Sequence, residues 1–208
     1  MPVGRLLGVD HTPEAAVARL RTLLTAVRTA LAAGVAVSRA IHAEHDWSPT
    51  ADRHLFLQLV RREAMERLKP WGADLDDPHS ELPLGQQLDL FDAATDNLGL
   101  PMSGLIVGTP REVLRIWHSD DGELPAADTD GLRAFYRQAP SRQTQLALGG
   151  GDLPPVRDHL ALLWADSRTP DRDGDLVRLD LVRPAGHVGR RVEVDWHLDL
   201  LSRLAAAA

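Results

Sequence analysis

Two histidines and a glutamate lie close together in the segment IHAEHD. His42 and His45 are three residues apart, so on a helix both side chains would lie on one face, with Glu44 beside them. Two imidazoles at this spacing can share a zinc ion, but zinc needs a third and a fourth ligand. His54 and Asp46 are the nearest candidates, and no second cluster completes the set. We therefore predict no metal site and expect a surface or capping role for the two histidines.

Arg39, which lies two residues before this segment, and His45 are separated by five residues. This spacing resembles the Arg…His pair of HEPN-type ribonucleases. Those domains are all-helical, whereas the last third of this chain has the alternating pattern of strands. The resemblance is limited to these two residues, and we do not assign the chain to that class.

Aspartates at alternate positions occur in DRDGD, as Asp171, Asp173 and Asp175. A calcium loop of the EF-hand type needs glycine at its sixth position and glutamate at its twelfth. Here Gly174 is the fourth residue and Val182 is the twelfth. The segment also lies between two strand-like runs, which favours a hairpin turn.

The last strand-like run contains a row of polar side chains, Asp195, His197 and Asp199, that alternate with apolar residues. Such a row could support acid–base chemistry if it lined a cleft. The simpler interpretation is the solvated face of a half-buried sheet.

The sequence lacks the residues that several kinds of chemistry require. The chain has no cysteine, which excludes disulfides, zinc–thiolate sites and cysteine nucleophiles. Phosphate-binding glycine loops and the GxSxG nucleophile motif are also missing from the sequence. We predict no catalytic residue and no cofactor, and whether the protein is an enzyme stays open.

The most specific motif is the pentapeptide QLDLF at residues 87–91. It resembles the peptide by which bacterial DNA polymerases and repair factors bind the replication sliding clamp, whose consensus is Gln-Leu-Ser/Asp-Leu-Phe. The resemblance implies that Gln87 bonds in a polar subsite, that Leu88 lies along the groove and that Asp89 faces solvent. Leu90 and Phe91 would fill the deep apolar pocket, as hot-spot anchors do.

A second interpretation of the same residues is an amphipathic helix. Leu84, Leu88, Phe91 and Leu98 fit one helical face, and a helix over 86–97 could pack on the N-terminal helices. The resemblance covers five residues of 208. The sequence leaves both interpretations open.

Two long helices are predicted before this motif. Thr12 with Pro13 begins the first helix, and Gly34 is expected to end it. The next segment, 35–47, is expected to be a short helix or a strand. Ser48 with Pro49 begins the second, and Pro70 with Gly72 ends it. We assign 1–72 to a helical part and 73–103, which is rich in Pro, Gly and acids, to a linker or surface excursion.

Residues 104–208 are predicted to form an α+β part that ends in an antiparallel meander and that may join 1–72 in one domain. GLIVG is expected to be a buried strand, and a capping box at Thr109 and Glu112 predicts a helix from 110, with a strand as the alternative. DTDGLRAFYRQA reads as a helix and TQLALGGGD as a short strand. LALLWADS, LVRLDLVRP and RVEVDWHLDLL read as strands, with turns at PDRDGD and PAGHVGR. The predicted fold class is α+β.

The net charge of −7 is unevenly distributed. Residues 1–72 carry ten cationic and seven acidic side chains, and 73–208 carry thirteen and twenty-three. We therefore expect 73–208 not to bind nucleic acid directly. The start of the chain lacks the apolar core of a signal peptide, so a cytoplasmic location and no membrane partner are expected.

The sequence thus favours an intracellular adaptor of DNA replication or repair that docks on the sliding clamp through 87–91. The alternatives are a small α+β enzyme or ligand-binding module with a His/Asp site, and an acidic protein-binding factor of the immunity type.

Overall fold

The structure is a computed structural model that describes residues 11–74, 105–109, 112–138, 158–167 and 176–205. Its first helix, α1 (Pro13–Glu44), begins as predicted, with Thr12 as N-cap accepting a hydrogen bond from the Ala15 amide at 3.4 Å. The prediction that Gly34 ends this helix was wrong, because α1 continues through it and includes 35–44.

The reason lies in the neighbouring helix, α2 (Arg53–Asp74). A Cβ atom at Gly34 would lie 2.7 Å from the carbonyl oxygen of Val60, so the glycine allows the two helices to approach closely. The helix α2 begins four residues later than predicted and extends past Gly72. Ser48, the predicted cap, instead accepts the Ala51 amide in the preceding turn.

The buried side chains of α2 follow one face at four-residue spacing, as an amphipathic helix requires. They are Phe56, Val60, Ala64 and Leu68. These residues share one apolar core with buried residues of α1 and of the sheet, so the N-terminal helices and the C-terminal part are packed together.

Five strands form one sheet in sequence order. They are β1 (Leu105–Gly108), β2 (Glu112–His118), β3 (Asp158–Asp166), β4 (Leu176–Val188) and β5 (Arg191–Asp199). The pairs β1–β2, β3–β4 and β4–β5 are antiparallel, and β2–β3 is parallel. The α+β class and the antiparallel meander β3–β4–β5 are confirmed. The parallel pair was not predicted.

The helix predicted from residue 110 was wrong, since Glu112–His118 is the strand β2. The capping-box residues do bond to each other: the Glu112 amide donates to Thr109 Oγ1 at 3.0 Å, and the Thr109 amide donates to the Glu112 carbonyl at 2.8 Å. These bonds close the turn between β1 and β2 rather than a helix. The β-branched and aromatic residues that follow favour a strand.

The sheet is covered on both faces. One face packs on α1 and α2. The other packs on α3 (Asp130–Tyr136), which was predicted as a helix, and on the loop before it. A short helix, α4 (Leu201–Ala205), follows β5 and buries Leu204 against the first face. The predicted turn at PAGHVGR is confined to Gly189 and Arg190, because β4 continues to Val188.

Candidate functional site

Several predicted features lie outside the described residues. These include the pentapeptide Gln87, Leu88, Asp89, Leu90 and Phe91. The same holds for the aspartate turn at 171–175 and for the short strand predicted in TQLALGGGD. The structure therefore neither supports nor contradicts these predictions.

The two histidines of IHAEHD lie in separate environments: His45 is the C-cap residue of α1, whereas the surface or capping role expected for His42 was wrong, because His42 is buried. His42 is fully buried, its Nδ1 is 2.8 Å from the Ser38 carbonyl, and its ring meets Trp47 and Phe56 edge-on. His45 stacks on Trp47 with ring centroids 4.6 Å apart. Within the described parts of the chain, no group of three or more His, Asp or Glu side chains could hold a metal ion.

Arg39, two residues before IHAEHD, takes part in a polar cluster where the parallel strands β2 and β3 end. We call it the carboxyl-end cluster, and it consists of Arg39, Arg53, His118 and Asp166. Arg53 contacts both carboxylate oxygens of Asp166, with Nη2 at 2.5 Å from Oδ1 and Nη1 at 3.3 Å from Oδ2. Arg39 Nη2 is 3.5 Å from Asp166 Oδ2 and also donates to the Ser167 carbonyl.

The histidine in this cluster lies among charges of both signs. Arg53 Nη2 is 2.7 Å from His118 Nε2. The same nitrogen is 3.4 Å from Asp120 Oδ1 and 3.6 Å from Asp166 Oδ1. Ligands tend to bind where parallel strands end. Here the guanidinium of Arg53 already contacts His118 Nε2, so a ligand would have to displace it.

The carboxylate in the cluster is held ionised. Burial raises the pKa of Asp166, but hydrogen bonds from its neighbours and the positive charge of Arg53 hold this pKa well below its usual range. Asp166 is therefore ionised at neutral pH, and it lies between α1, α2 and the end of β3. It ties the two helices to the sheet and is not available as a proton donor.

A matching group of charges lies at the opposite ends of the same two strands. We call it the amino-end cluster, and it consists of His11, Arg19, Glu112, Asp158, Arg183 and Asp195. Arg19 Nε is 2.7 Å from Glu112 Oε1. Arg183 bridges two acids, at 3.0 Å from Asp158 and 2.8 Å from Asp195, and His11 also contacts Asp158. This cluster anchors the start of α1 to the sheet.

The predicted row of Asp195, His197 and Asp199 does not form one surface, because β5 contains a bulge. Trp196 pairs with Arg183 and Val194 pairs with Pro184, so Asp195 is an extra residue between them. Asp195 turns to Arg183, whereas Asp199 bonds the Leu201 amide at the start of α4. Only His197 of the three reaches the cleft described next.

Sequence reasoning missed a cleft between the β4–β5 hairpin and the loop that precedes α3. We call it the ribbon cleft; its volume is about 520 Å³. Its lining residues are Gly122, Glu123, Leu124, Ala126, Val182, Arg190, Arg191, Val192, Val194 and His197. His197 Nε2 lies 2.9 Å from Asp180 Oδ2, and Asp180 is buried. No sequence signal could have found this pair, since the two residues meet only through the pairing of β4 with β5.

Comparison with known proteins gives no relative. No family model, no curated protein and no solved structure matches the chain.

Among the described helices, α1 is long and apolar enough to cross a membrane by length and composition alone. Half of its most apolar window is buried inside the molecule, and the core helix of a folded protein passes the same test.

Proposed function

We propose that this protein is an intracellular accessory or adaptor protein of DNA replication or repair, and that it docks on the bacterial sliding clamp through residues 87–91. The observation that carries this proposal is the sequence match, in which all five positions of the clamp-binding consensus are present. A glutamine that fixes register and two large apolar residues that fill one pocket are a physically sound basis for binding.

The charges of the described fold agree with a protein partner rather than with chemistry. In both strand-end clusters the buried acids face arginines, and Asp166 is held ionised by its partners. Each of these acids lies within ion-pair distance of an arginine, and removing one partner of such a pair leaves the other charge buried and unpaired. We therefore propose that the folded part is a frame that carries the binding segment.

The acidic balance of 73–208 also favours a protein partner, since such a surface repels the phosphate backbone. We propose that any association with DNA is indirect, through the clamp. A gel-shift or anisotropy titration with duplex DNA should show no binding by the protein alone at physiological salt.

A synthetic peptide over 84–94 tests the binding segment directly. We expect it to bind purified bacterial sliding clamp, and Leu90→Ala with Phe91→Ala to abolish binding because the apolar anchors are lost. Asp89→Ser is the matched control: the consensus accepts serine at this position, so its affinity should stay within about twofold. Loss of binding with Asp89→Ser, or retention with the double alanine variant, would contradict the proposal.

The competing interpretation, a helix packed on its own protein, predicts a different effect on stability. Removing two buried side chains of this size costs several kcal/mol, typically about 2–5 for each large-to-alanine change. We expect Leu90→Ala with Phe91→Ala in the full chain to leave the midpoint of urea unfolding unchanged. A large drop in that midpoint would favour the packed helix.

A further inference from the structure

We propose that the ribbon cleft binds a small organic monoanion with an apolar body, for which an aliphatic carboxylate is the simplest representative. This inference concerns the β4–β5 hairpin and the loop 119–127, and it does not depend on clamp binding through 87–91.

The two walls of the cleft, the loop 119–127 and the β4–β5 hairpin, contact each other at both ends. At one end the Ala127 amide donates to the Arg190 carbonyl at 2.9 Å, and the Arg190 guanidinium is 3.1 Å from Asp128. At the other end Gly122 has a positive φ of 79°, and a Cβ there would lie 2.3 Å from Arg178 Nη1. The loop is thus hydrogen-bonded to the hairpin turn at Ala127, and at Gly122 it lies against the end of the Arg178 side chain of β4.

The loop wall is also ordered by its own hydrogen bonds. The Ser119 hydroxyl is 2.8 Å from Asp121 Oδ1, and the same oxygen of Asp121 accepts the Glu123 amide at 3.0 Å. The Gly122 amide donates to Ser119 Oγ at 3.1 Å. A wall fixed in this way needs little ordering when a ligand binds, which preserves affinity.

The floor of the cleft is apolar. Val182 is almost fully buried beneath it, and Val192 and Leu124 are partly buried at its sides. A volume of about 520 Å³ falls in the range of small-molecule sites, which combine an apolar surface with a few polar groups. A more open depression of about 970 Å³ shares Arg191, Val192 and Val194 with the cleft, and the acidic residues Glu193 and Asp195 line it as well.

The polar groups around the floor favour one negative charge. His197 donates through Nε2 to the buried Asp180, which leaves its Nδ1 as the group available to a ligand. Arg191 and Glu123 have no ion-pair partner in the described part of the chain. Arg191 supplies a cation for a carboxylate, whereas Glu123 at the rim disfavours a second negative charge.

Octanoate is the probe that we choose, with octanamide as its uncharged counterpart and inorganic phosphate as an anion without an apolar body. The full chain is titrated and followed by backbone amide NMR shifts. We expect saturable binding of octanoate with a Kd on the order of 0.1–1 mM, and shift changes confined to 119–127, 182 and 190–197. Octanamide and phosphate should each bind at least tenfold more weakly.

Two variants locate the site. Arg191→Ala should weaken octanoate binding at least tenfold, and His197→Ala at least threefold. Arg191 is exposed and outside the ion pairs of the described residues, so its removal should leave the fold unchanged. His197→Ala also removes the partner of the buried Asp180, so its free energy of unfolding is measured beside its affinity. Arg67→Ala is the matched control, because Arg67 is an exposed arginine on α2 whose one ion-pair partner among the described residues is Glu63. Unchanged affinity in Arg191→Ala, equal affinity for octanamide, or shift changes elsewhere would overturn the proposal.

Discussion

The carboxyl-end cluster and the ribbon cleft both bring arginine, histidine and aspartate together, but they differ in what those charges face. In the cluster, Asp166 is buried and contacted by Arg53 and Arg39. In the cleft, Asp180 pairs with His197, whereas Arg191 and Glu123 face solvent. A charge with a buried partner supports the fold, whereas a charge on a preformed wall that has no ion-pair partner among the described residues is available to a ligand.

The largest effect is expected from removing the buried anion. Asp166→Ala leaves Arg53 and Arg39 without their shared carboxylate, and breaking a buried ion pair from one side costs about 3–5 kcal/mol. The free energy of unfolding in urea measures this loss. Asp130→Ala is the control: Asp130 is exposed and pairs with Arg133 on α3, so its loss should stay within about 0.5 kcal/mol. If the two variants are equally stable, the cluster is not what holds the helices to the sheet.

A comparable loss is expected in the amino-end cluster. Arg183→Met leaves Asp158 and Asp195 without the guanidinium that bridges them, and we expect about 3 kcal/mol of destabilisation. Arg67→Met, at an exposed arginine, should change the free energy of unfolding by no more than about 0.5 kcal/mol. A loss below 1 kcal/mol for Arg183→Met would show that this pairing contributes little.

The stability contribution of Asp166 should depend on pH. The pKa of Asp166 is lowered in the folded protein, so its contribution is fully present above the unfolded pKa of about 4 and is lost as the pH falls below it. Urea unfolding of the wild type and of Asp166→Asn at pH 7, 4 and 3 measures the difference. We expect the stability gap between them to shrink as the pH falls. A gap that is constant with pH would mean that ionisation of Asp166 is not the source of its effect.

A smaller effect is expected at the edge of the cleft. Gly122→Ala places a side chain at a positive φ, which costs about 1–2 kcal/mol, and its Cβ displaces the tip of Arg178. Gly189→Ala is the matched control, since Gly189 has a φ of 60° with no atom within 4 Å of the added Cβ. Both variants should lose similar stability, but only Gly122→Ala should weaken octanoate binding. Equal binding by the two variants would contradict the role of this wall.

The smallest effect on stability is expected for Arg191→Ala. Because Arg191 is exposed and lies outside the ion pairs described above, its removal should change the free energy of unfolding by less than about 0.5 kcal/mol. A thermal or urea melt of this variant checks the expectation. A loss above 1 kcal/mol would place Arg191 with the structural charges rather than with the ligand site.

Local patterns in the sequence identified much of the fold. Thr12 and Pro13 mark the start of α1, and period-two alternation marks β4 and β5, because both signals depend on neighbouring residues. The errors came from contacts between distant segments. The sequence predicts a helix end at Gly34, but this glycine allows Val60 of α2 to approach α1. The Thr109–Glu112 pattern is typical of a helix cap, but here its bonds precede the strand β2.

The polar sites were less predictable for the same reason. Asp166 lies 113 residues from Arg53 along the chain, and no spacing rule connects them. The row at 195–199 was visible in the sequence, but the bulge at Asp195, which depends on the register between β4 and β5, was not. The alternation with apolar residues identified His197 as a candidate in the sequence. Its partner Asp180 could be identified only from the pairing of β4 with β5 in the structure.

The most direct test of the proposed function is a binding titration of the full-length protein against purified bacterial sliding clamp, beside the Leu90→Ala, Phe91→Ala double variant. We predict saturable binding with a Kd on the order of 10 μM or tighter for the wild type, and none for the variant at the same concentrations. No binding by the folded wild-type protein at tens of micromolar, or equal binding by the variant, would contradict docking through residues 87–91.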